Sequence, residues 1–146
     1  MEPEDFNPLM HQMVPFVARA GVCVETMRRG YVKMVMPLQG NENHIGSIYA
    51  GALFTLGEVP GGALFFSTFD AEKYVPVVKE MNIQFIRKAE TDVSVVVQLS
   101  DPEIDRIEKE AEEIGRADFR LNSHILDNRG EVVAICSGLY QLITIK

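Results

Sequence analysis

The chain has 146 residues, of which 47% are hydrophobic, so it can bury one core, and we predict a single domain over residues 1–146. Its formal net charge of −7, without a dense Lys/Arg run, argues against nucleic acid as a partner. Cys23 and Cys136 form no CxxC pair and the N-terminus opens on acidic residues rather than a signal peptide, so we expect reduced thiols and a cytoplasmic protein.

The first quarter of the chain predicts a helix followed by a strand hairpin. Apolar residues recur at helical spacing from about Pro8 to Ala20, where Gly21 is a C-terminal stop signal. From Gly21 to Pro37, β-branched residues and methionines alternate on both sides of Arg29-Gly30. This pattern indicates two strands joined by a turn.

A long apolar segment from Tyr49 to Phe69 predicts a helix that is buried on all sides. Glu58 is its only ionisable residue before Asp70. The segment is long enough to cross a bilayer, but Glu58, Pro60 and the two glycines that follow argue against a membrane span. Because Pro60 lacks a backbone N–H and crowds the carbonyl of Leu56, we expect a kink that leaves backbone carbonyls and the Glu58 carboxylate partly open.

The remaining sequence predicts four further strands and one further helix. Two strands are expected over Val75–Ile86 and Val93–Leu99, a third over the alternating residues from Phe119 to Ile125, and the last over Val132–Ile145. Between the fourth and fifth strands, Asp101 as the cap and Pro102 at the first helical position predict a short amphipathic helix that ends at Gly115. Its acidic face is interpreted as solvated, and an acidic docking surface is the alternative. The expected fold class is α+β, with about six strands around one long helix.

The stretch from Asn43 to Glu58 contains the groups that an acyl-transfer site needs. The first N–H groups of a helix lack internal partners, so the amide of Gly51 can hold an oxyanion, and the small side chain of Ala50 lets a substrate approach. Apolar surroundings should raise the pKa of Glu58, which suits a general base; direct attack by Glu58 and a purely structural role are the alternatives. Asn43 either orients a water molecule or only shapes its loop.

Helix geometry predicts that this site needs two subunits. Gly51 and Glu58 are seven positions apart, which separates them by roughly 10 Å along a helix, so one chain cannot bring both to one thioester carbonyl. If two copies of the helix lie antiparallel across a two-fold axis, Gly51 of one subunit comes level with the partner subunit's Glu58. We therefore expect a homodimer, or a tetramer of such dimers.

The order of elements resembles the hotdog fold, with a long buried helix after an Asn-x-x-Gly loop. The motif resembles that of the small acyl-CoA thioesterases of the phenylacetate-pathway type, which place an Asn five residues before His-Gly-Gly and an acidic residue nine positions after the His. Here the same spacing gives Asn43, then Tyr49-Ala50-Gly51, then Glu58, and Met81-Asn82-Ile83 is similar to the stretch after the helix. The resemblance implies an antiparallel sheet wrapped around the helix, dimers paired edge to edge, and an acyl-CoA substrate bound between subunits.

Four positions depart from that family. Tyr49 replaces the His, Ala50 replaces the first Gly, Glu58 replaces the commoner Asp, and Val78 stands where some members have Ser or Thr. A tyrosine can donate one hydrogen bond but does not ionise near neutrality, and a valine cannot hold a water molecule. Tyr49 is accordingly interpreted either as a donor to the thioester carbonyl or as a packing aromatic.

The substrate contacts are predicted from the same resemblance. Ala50, Phe54 and Met81 are expected to line the acyl site, while Arg87 and Lys88 are candidates to meet the phosphates of coenzyme A. Basic residues at strand ends are commonly only solvated, which is the alternative for this pair. No metal or other cofactor is predicted, since the histidines lack metal-ligand spacing: His11, His44 and His124.

Three function classes fit these residues. The first is hydrolysis of an acyl-CoA thioester, with Glu58, Asn43, Gly51 and Tyr49 as the catalytic set. The second is a non-catalytic dimer that binds acyl-CoA or an acyl-carrier protein, which the loss of the family His and Ser favours. The third, hydration or dehydration of a thioester, ranks lowest because it needs a His paired with the acid, and His44 is the nearest candidate.

Overall fold

A computed structural model describes residues 1–145, and within them the chain forms five helices and one six-stranded sheet. The helices are α1 (Pro3–Met13), α2 (Pro15–Ala20), α3 (Ala50–Glu58), α4 (Pro60–Thr68) and α5 (Asp101–Ile114). The strands are β1 (Cys23–Arg28), β2 (Tyr31–Met36), β3 (Tyr74–Phe85), β4 (Val93–Gln98), β5 (Arg116–Leu126) and β6 (Val132–Thr144).

The sheet packs its inner face against the central helices. Its strand order is β1-β2-β4-β5-β6-β3, and every neighbouring pair is antiparallel. Strand β5 alternates strictly between buried and exposed residues, as expected for a sheet with one face on the core. The core combines helix and strand residues, including Leu56, Leu64, Met34, Val95, Ile125 and Leu142. The predicted α+β fold, a sheet around a long helix with an additional helix between strands four and five, is confirmed.

The central helix is divided at Pro60, where the sequence predicts a kink. Helix α3 ends at Glu58 and α4 begins at Pro60, with Val59 between them in helical geometry (φ −57°, ψ −35°). No helix in the described part of the chain, residues 1–145, is long and apolar enough to cross a membrane.

The N-terminal helix differs from its prediction in both extent and continuity. The sequence predicts one helix over residues 8–20, whereas the structure has α1 and α2 separated at Val14 (φ −132°, ψ 85°). Pro15 accounts for the break, because its ring disfavours helical geometry at the preceding residue and it lacks the N–H that would donate within a continuous helix. The earlier start at Pro3 has a local cause as well, since proline at the first helical position followed by acidic residues favours a helix N-terminus.

The boundary of α5 also differs in one detail. Ser100, rather than Asp101, is the N-cap, and its side chain accepts a hydrogen bond from the amide of Glu103 at 3.3 Å. Pro102 thus occupies the second helical position, where a missing N–H is equally harmless. The C-terminus is as predicted: Gly115 adopts a left-handed conformation (φ 92°) that ends the helix.

The two edges of the sheet have different surroundings. At the β1 edge, the Asn7 side chain of α1 donates to the Val24 carbonyl at 3.0 Å and accepts from the Val24 amide at 2.7 Å. His11 Nε2 lies 2.7 Å from the carbonyl oxygen of Val22. At the opposite edge, β3 is 12 residues long, and within residues 1–145 β6 is its only neighbouring strand.

Candidate active site

The loop before α3 is shaped by Asn43. The side-chain oxygen of Asn43 accepts hydrogen bonds from the amides of Ile45 (3.0 Å) and Ser47 (3.2 Å), and its side-chain nitrogen donates to Ser47 Oγ at 2.9 Å. Gly46 within the loop has φ +85°, a conformation that glycine adopts without strain. The Asn43 carboxamide therefore organises the loop, which is one of the two roles that the sequence allows for it.

Helix α3 begins with free backbone donors. The carbonyl of Tyr49 accepts the amides of Ala52 (3.0 Å) and Leu53 (3.1 Å), and no side chain caps the helix. Among residues 1–145, the amides of Ala50 and Gly51 have no hydrogen-bond acceptor. The helix dipole adds positive potential at this end. Two N–H groups are thus available to an anionic oxygen.

The Tyr49 ring lies beside the first turn of α3. Tyr49 is 59% exposed, and a Cβ at Gly51 would lie 2.5 Å from Cε2 of its ring. Position 51 therefore has to be small for this ring to pack as it does. The aromatic residue that replaces the family His contacts the predicted oxyanion donor within the same chain.

Glu58 lies at the point where Pro60 interrupts the helix. The amide of Gly62 donates to the Val59 carbonyl at 3.0 Å, while the Glu58 carbonyl accepts the Tyr140 hydroxyl at 2.9 Å. The kink thus frees a carbonyl, as the sequence predicts, and a tyrosine from β6 binds it. This hydrogen bond anchors the backbone from which the Glu58 carboxylate projects.

Glycines bring the kinked helix close to β6. A Cβ at Gly57 would lie 2.7 Å from Cys136 Sγ, and a Cβ at Gly61 would overlap the ring of Tyr140. That ring also stacks on Phe119, with centroids 5.7 Å apart and planes inclined by 22°. The position of Tyr140 beneath the kink is therefore set by close packing as well as by its hydrogen bond.

Burial shifts the pKa values of three neighbouring groups, Glu58, Tyr140 and Cys136. Burial raises the pKa of the half-buried Glu58 carboxyl, because apolar surroundings disfavour its charge. Burial likewise raises the pKa of Tyr140, with a smaller contribution from the Glu58 charge, and it raises the pKa of Cys136 to about 11. The Tyr140 phenol and the Cys136 thiol therefore stay protonated near neutral pH. Of the three groups, the Glu58 carboxyl exchanges protons most readily.

An apolar pocket of about 670 Å³ opens beside Glu58. It lies between α1 and α2 on one side, the α3–α4 segment on another and β3 on the third, and its size is typical of small-molecule sites. Its lining includes Phe6, Met10, Phe54, Glu58, Phe66, Val78, Met81 and Tyr140. Two of the predicted substrate contacts, Phe54 and Met81, therefore share a pocket with the predicted base.

Four other predicted residues lie outside that pocket, at or before the start of α3: Asn43, Tyr49, Ala50 and Gly51. The free amide of Gly51 and the carboxylate of Glu58 stand at opposite ends of α3, roughly 10 Å apart along its axis. One chain therefore presents an oxyanion site and a base, but it does not direct them at the same carbonyl.

Arg87 and Lys88 lie in a second, polar depression of about 470 Å³. The adjacent Ala89 is buried, and its carbonyl accepts the amide of Ile48 at 2.8 Å, which ties this segment to the residue before Tyr49. The two basic residues are thus on the same side of the molecule as the N-terminus of α3, away from the pocket beside Glu58. Both are exposed, and Arg87 forms an ion pair with Glu131 at 3.5 Å.

Sequence reasoning missed Tyr140 and the pocket wall formed by α1. Tyr140 is one of several inward-facing residues in an alternating strand, and its contact with Glu58 joins positions 82 residues apart. A buried tyrosine needs a partner for its hydroxyl, and this was the available signal. Phe6 precedes the helix that the sequence predicts from about Pro8, and Met10 lies within that helix, but the prediction does not identify the element that either residue contacts.

The family model for a domain of unknown function, DUF4442, matches residues 3–139 of the chain. A search of curated proteins found no match to this chain. Among solved structures, PA5026 from Pseudomonas aeruginosa, described as a protein of unknown function and probable thioesterase, is 46% identical. That match has a TM-score of 0.94 and covers 99% of this chain and 97% of PA5026.

More distant structures share the fold. OLEI01261 from Chlorobaculum tepidum, a protein of unknown function, is 15% identical with a TM-score of 0.86, over 99% of this chain and 98% of its own. The thioesterase HI1161 from Haemophilus influenzae is 14% identical with a TM-score of 0.79, and the match covers 99% of this chain and 92% of HI1161. At these identities the likeness concerns the fold alone.

Proposed function

The chain belongs to the DUF4442 family and has the hotdog fold, and we propose that it is a thioesterase that hydrolyses acyl-CoA. One observation carries the proposal: Glu58, a half-buried carboxylate with a raised pKa, faces an apolar pocket and is the last residue of a helix whose first amides are free. The description of PA5026 as a probable thioesterase supports it at 46% identity.

The proposed site is shared by two subunits that pair along β3. This strand has an open edge and exposed apolar residues at Val75, Val77, Val78 and Phe85, which in a free monomer would invite strand pairing. Further exposed apolar residues surround the pocket mouth: Met13, Phe16 and Phe54. Pairing of this edge with a second copy removes both surfaces from water.

In the proposed dimer, the geometry of α3 brings the oxyanion donor of one subunit to the base of the other. Around a two-fold axis perpendicular to α3, the α3 helices of the two subunits run antiparallel, so the free amide of Gly51 approaches the partner subunit's Glu58. The amide polarises the thioester carbonyl and holds the oxyanion, with the small Ala50 leaving room for the approach. Glu58 takes a proton from the attacking water, a role that its raised pKa suits.

The remaining predicted residues have supporting roles in this proposal. Asn43 holds the loop that sets the position of the α3 N-terminus, and the exposed Tyr49 phenol is the neutral donor beside Gly51. Arg87 and Lys88 lie on the same side as that N-terminus and contact the phosphates of coenzyme A. The acyl group extends in the other direction, towards Glu58.

A second candidate is a dimer that binds acyl-CoA or an acyl-carrier protein without cleaving it. The specific observation in its favour is that the Asn43 carboxamide is engaged within its own loop by three hydrogen bonds. An engaged carboxamide is less available to orient a water molecule. The replacement of the family His by Tyr49 also favours this candidate.

The experiment that separates the two candidates is a coupled assay for free thiol. The protein is incubated with a panel of acyl-CoA substrates and a thiol reagent, and the release of coenzyme A is followed. Glu58→Gln should lower the rate by about 10²-fold or more, the usual order for a lost general base. The matched control is Glu113→Gln, which removes an exposed carboxylate on α5 and should leave the rate unchanged.

Each result has a definite meaning for the proposal. A wild-type rate in a folded Glu58→Gln variant would contradict the catalytic role of Glu58. If the protein releases no coenzyme A but its melting temperature rises with acyl-CoA, the non-catalytic dimer is the better description.

A further inference from the structure

The pocket beside Glu58 continues along α4 towards α1 of the same chain. Phe66 on α4 and Phe6 on α1 meet there with ring centroids 5.5 Å apart, and the buried Met10 lies next to them in the pocket lining. The Phe6, Met10 and Phe66 side chains that form this end all come from the chain that carries Glu58. This end of the pocket is also apolar, so a polar group placed there would lose its hydrogen bonds to water without compensation.

Gly62 lies on the path from Glu58 to Phe66 and lines the pocket. A Cβ added at Gly62 would meet no atom within 4 Å, whereas at Gly57 and Gly61 it would collide with β6 side chains. Helix geometry puts Gly62 roughly 6 Å and Phe66 roughly 12 Å beyond Glu58 along the axis. Gly62 therefore leaves the middle of the pocket open.

On the basis of the proposed function, in which two subunits share the site, we infer that Gly62 sets the length of the acyl chain that this pocket accepts. The thioester lies between Gly51 of one subunit and the partner subunit's Glu58. Because Arg87 and Lys88 are linked to the α3 N-terminus of their own chain, coenzyme A lies on the subunit that supplies Gly51. The acyl tail enters the pocket of the subunit that supplies Glu58.

The occupant of this pocket is the alkyl chain of a medium-chain fatty acyl group, and Gly62 is the residue that sets the accepted length. A chain that begins at Glu58 passes Gly62 and ends against Phe66, where the Phe6–Phe66 contact closes the pocket. A short acyl group does not reach Gly62. A side chain at position 62 should therefore exclude longer substrates and spare shorter ones.

The test is the chain-length profile of Gly62→Leu, with Gly62→Ala as the matched control. For Gly62→Leu, kcat/KM for decanoyl-CoA should fall by at least ~10-fold while that for butanoyl-CoA stays within about twofold of wild type. Gly62→Ala should show a smaller shift in the same direction. Equal losses on both substrates, or an unchanged profile in a folded dimer, would overturn the assignment.

A binding measurement separates this inference from the proposed function. 1-Decanol, a neutral alkyl probe that needs no catalysis, should raise the melting temperature of wild type and of Gly62→Ala but not of Gly62→Leu. If this pattern appears in a protein that cleaves no acyl-CoA, the alkyl pocket is supported and the thioesterase proposal is contradicted. Identical shifts in all three proteins would overturn the pocket whatever the enzyme assay shows.

Discussion

The two edges of the sheet are treated in opposite ways by the rest of the chain. At β1, helix α1 supplies Asn7, whose carboxamide makes both backbone hydrogen bonds that a neighbouring strand would make with Val24. At β3, a strand of 12 residues with exposed valines has no neighbour on its outer side within residues 1–145. An exposed edge of this kind favours pairing with another chain, and the proposed dimer uses that pairing.

The open edge also lies beside the proposed active site. The pocket that contains Glu58 is lined by β3 residues 76–81, and the helix N-terminus that complements Glu58 is out of its reach within one chain. The closed edge stabilises the monomer, and the open edge creates the proposed site through a second copy. Substitutions at each edge should separate these two contributions, from the largest expected effect to the smallest.

The largest effect should come from placing charge on the open edge. Val75→Lys combined with Phe85→Lys puts like charges on both copies of β3, outside the residues that line the pocket. We expect the dimer dissociation constant to rise by roughly 10³-fold or more, because like charges at an interface cost several kcal/mol. Thioesterase activity should fall in parallel. Sedimentation velocity at micromolar concentration measures the first effect, and the thiol assay measures the second.

The neutral pair Val75→Thr and Phe85→Thr is the matched control, since threonine keeps strand propensity without charge. It should retain most of the dimer. A lysine variant that is monomeric, folded and fully active would contradict the shared site.

Opening the closed edge should destabilise the fold without changing its assembly. Asn7→Ala removes two hydrogen bonds to the backbone of β1, and we expect a loss of about 2 kcal/mol in the free energy of unfolding. Asn7→Asp keeps the acceptor for the Val24 amide but turns a carboxylate oxygen towards the Val24 carbonyl, so it should not recover the lost stability. Urea denaturation gives the free energies, and sedimentation should show an unchanged oligomer; dissociation caused by Asn7→Ala would show that the two edges are not independent.

Tyr140 connects the open side to the proposed chemistry. Tyr140→Phe keeps the stacking on Phe119 and removes the hydrogen bond to the Glu58 carbonyl, so we expect about 1 kcal/mol lower stability, a rate reduced by up to about tenfold and an altered pH profile. Tyr74→Phe is the matched control, because it removes a buried hydroxyl that donates to Glu112 at 3.3 Å, away from the pocket. Equal rates in the two variants would assign Tyr140 a structural role alone.

The smallest effect should be a pH dependence of stability. Burial raises the folded-state pKa of Glu58 above its unfolded value near 4.5, so the folded protein prefers the protonated carboxyl. The contribution of Glu58 to stability is fully present below the unfolded-state pKa, and it is lost as the pH rises through the folded-state pKa. Relative to Glu58→Gln, the wild type should therefore become less stable as the pH rises above 4.5. Denaturation curves across this range measure the difference, and a difference that does not vary with pH would contradict the raised pKa.

The sequence by itself determined most of the secondary structure. Strand periodicity predicted all six strands, and Pro60 correctly predicted an interruption next to Glu58. It also determined that Gly51 and Glu58 stand about two turns apart on one helix, which is why residue spacing alone is enough to argue for a shared site. These features depend on residues within a few turns of each other, so local periodicity and spacing are sufficient to reveal them.

Tertiary structure alone decided which distant groups meet. The hydrogen bond from Tyr140 to Glu58, the closure of the β1 edge by Asn7 and the α1 wall of the pocket each join residues far apart in sequence. None of these contacts has a periodic signal, because a strand pattern gives the face of a residue but not the element that packs on it. The split of the N-terminal helix at Pro15 was missed for a different reason: a helical stripe of apolar residues continues across a break in the backbone.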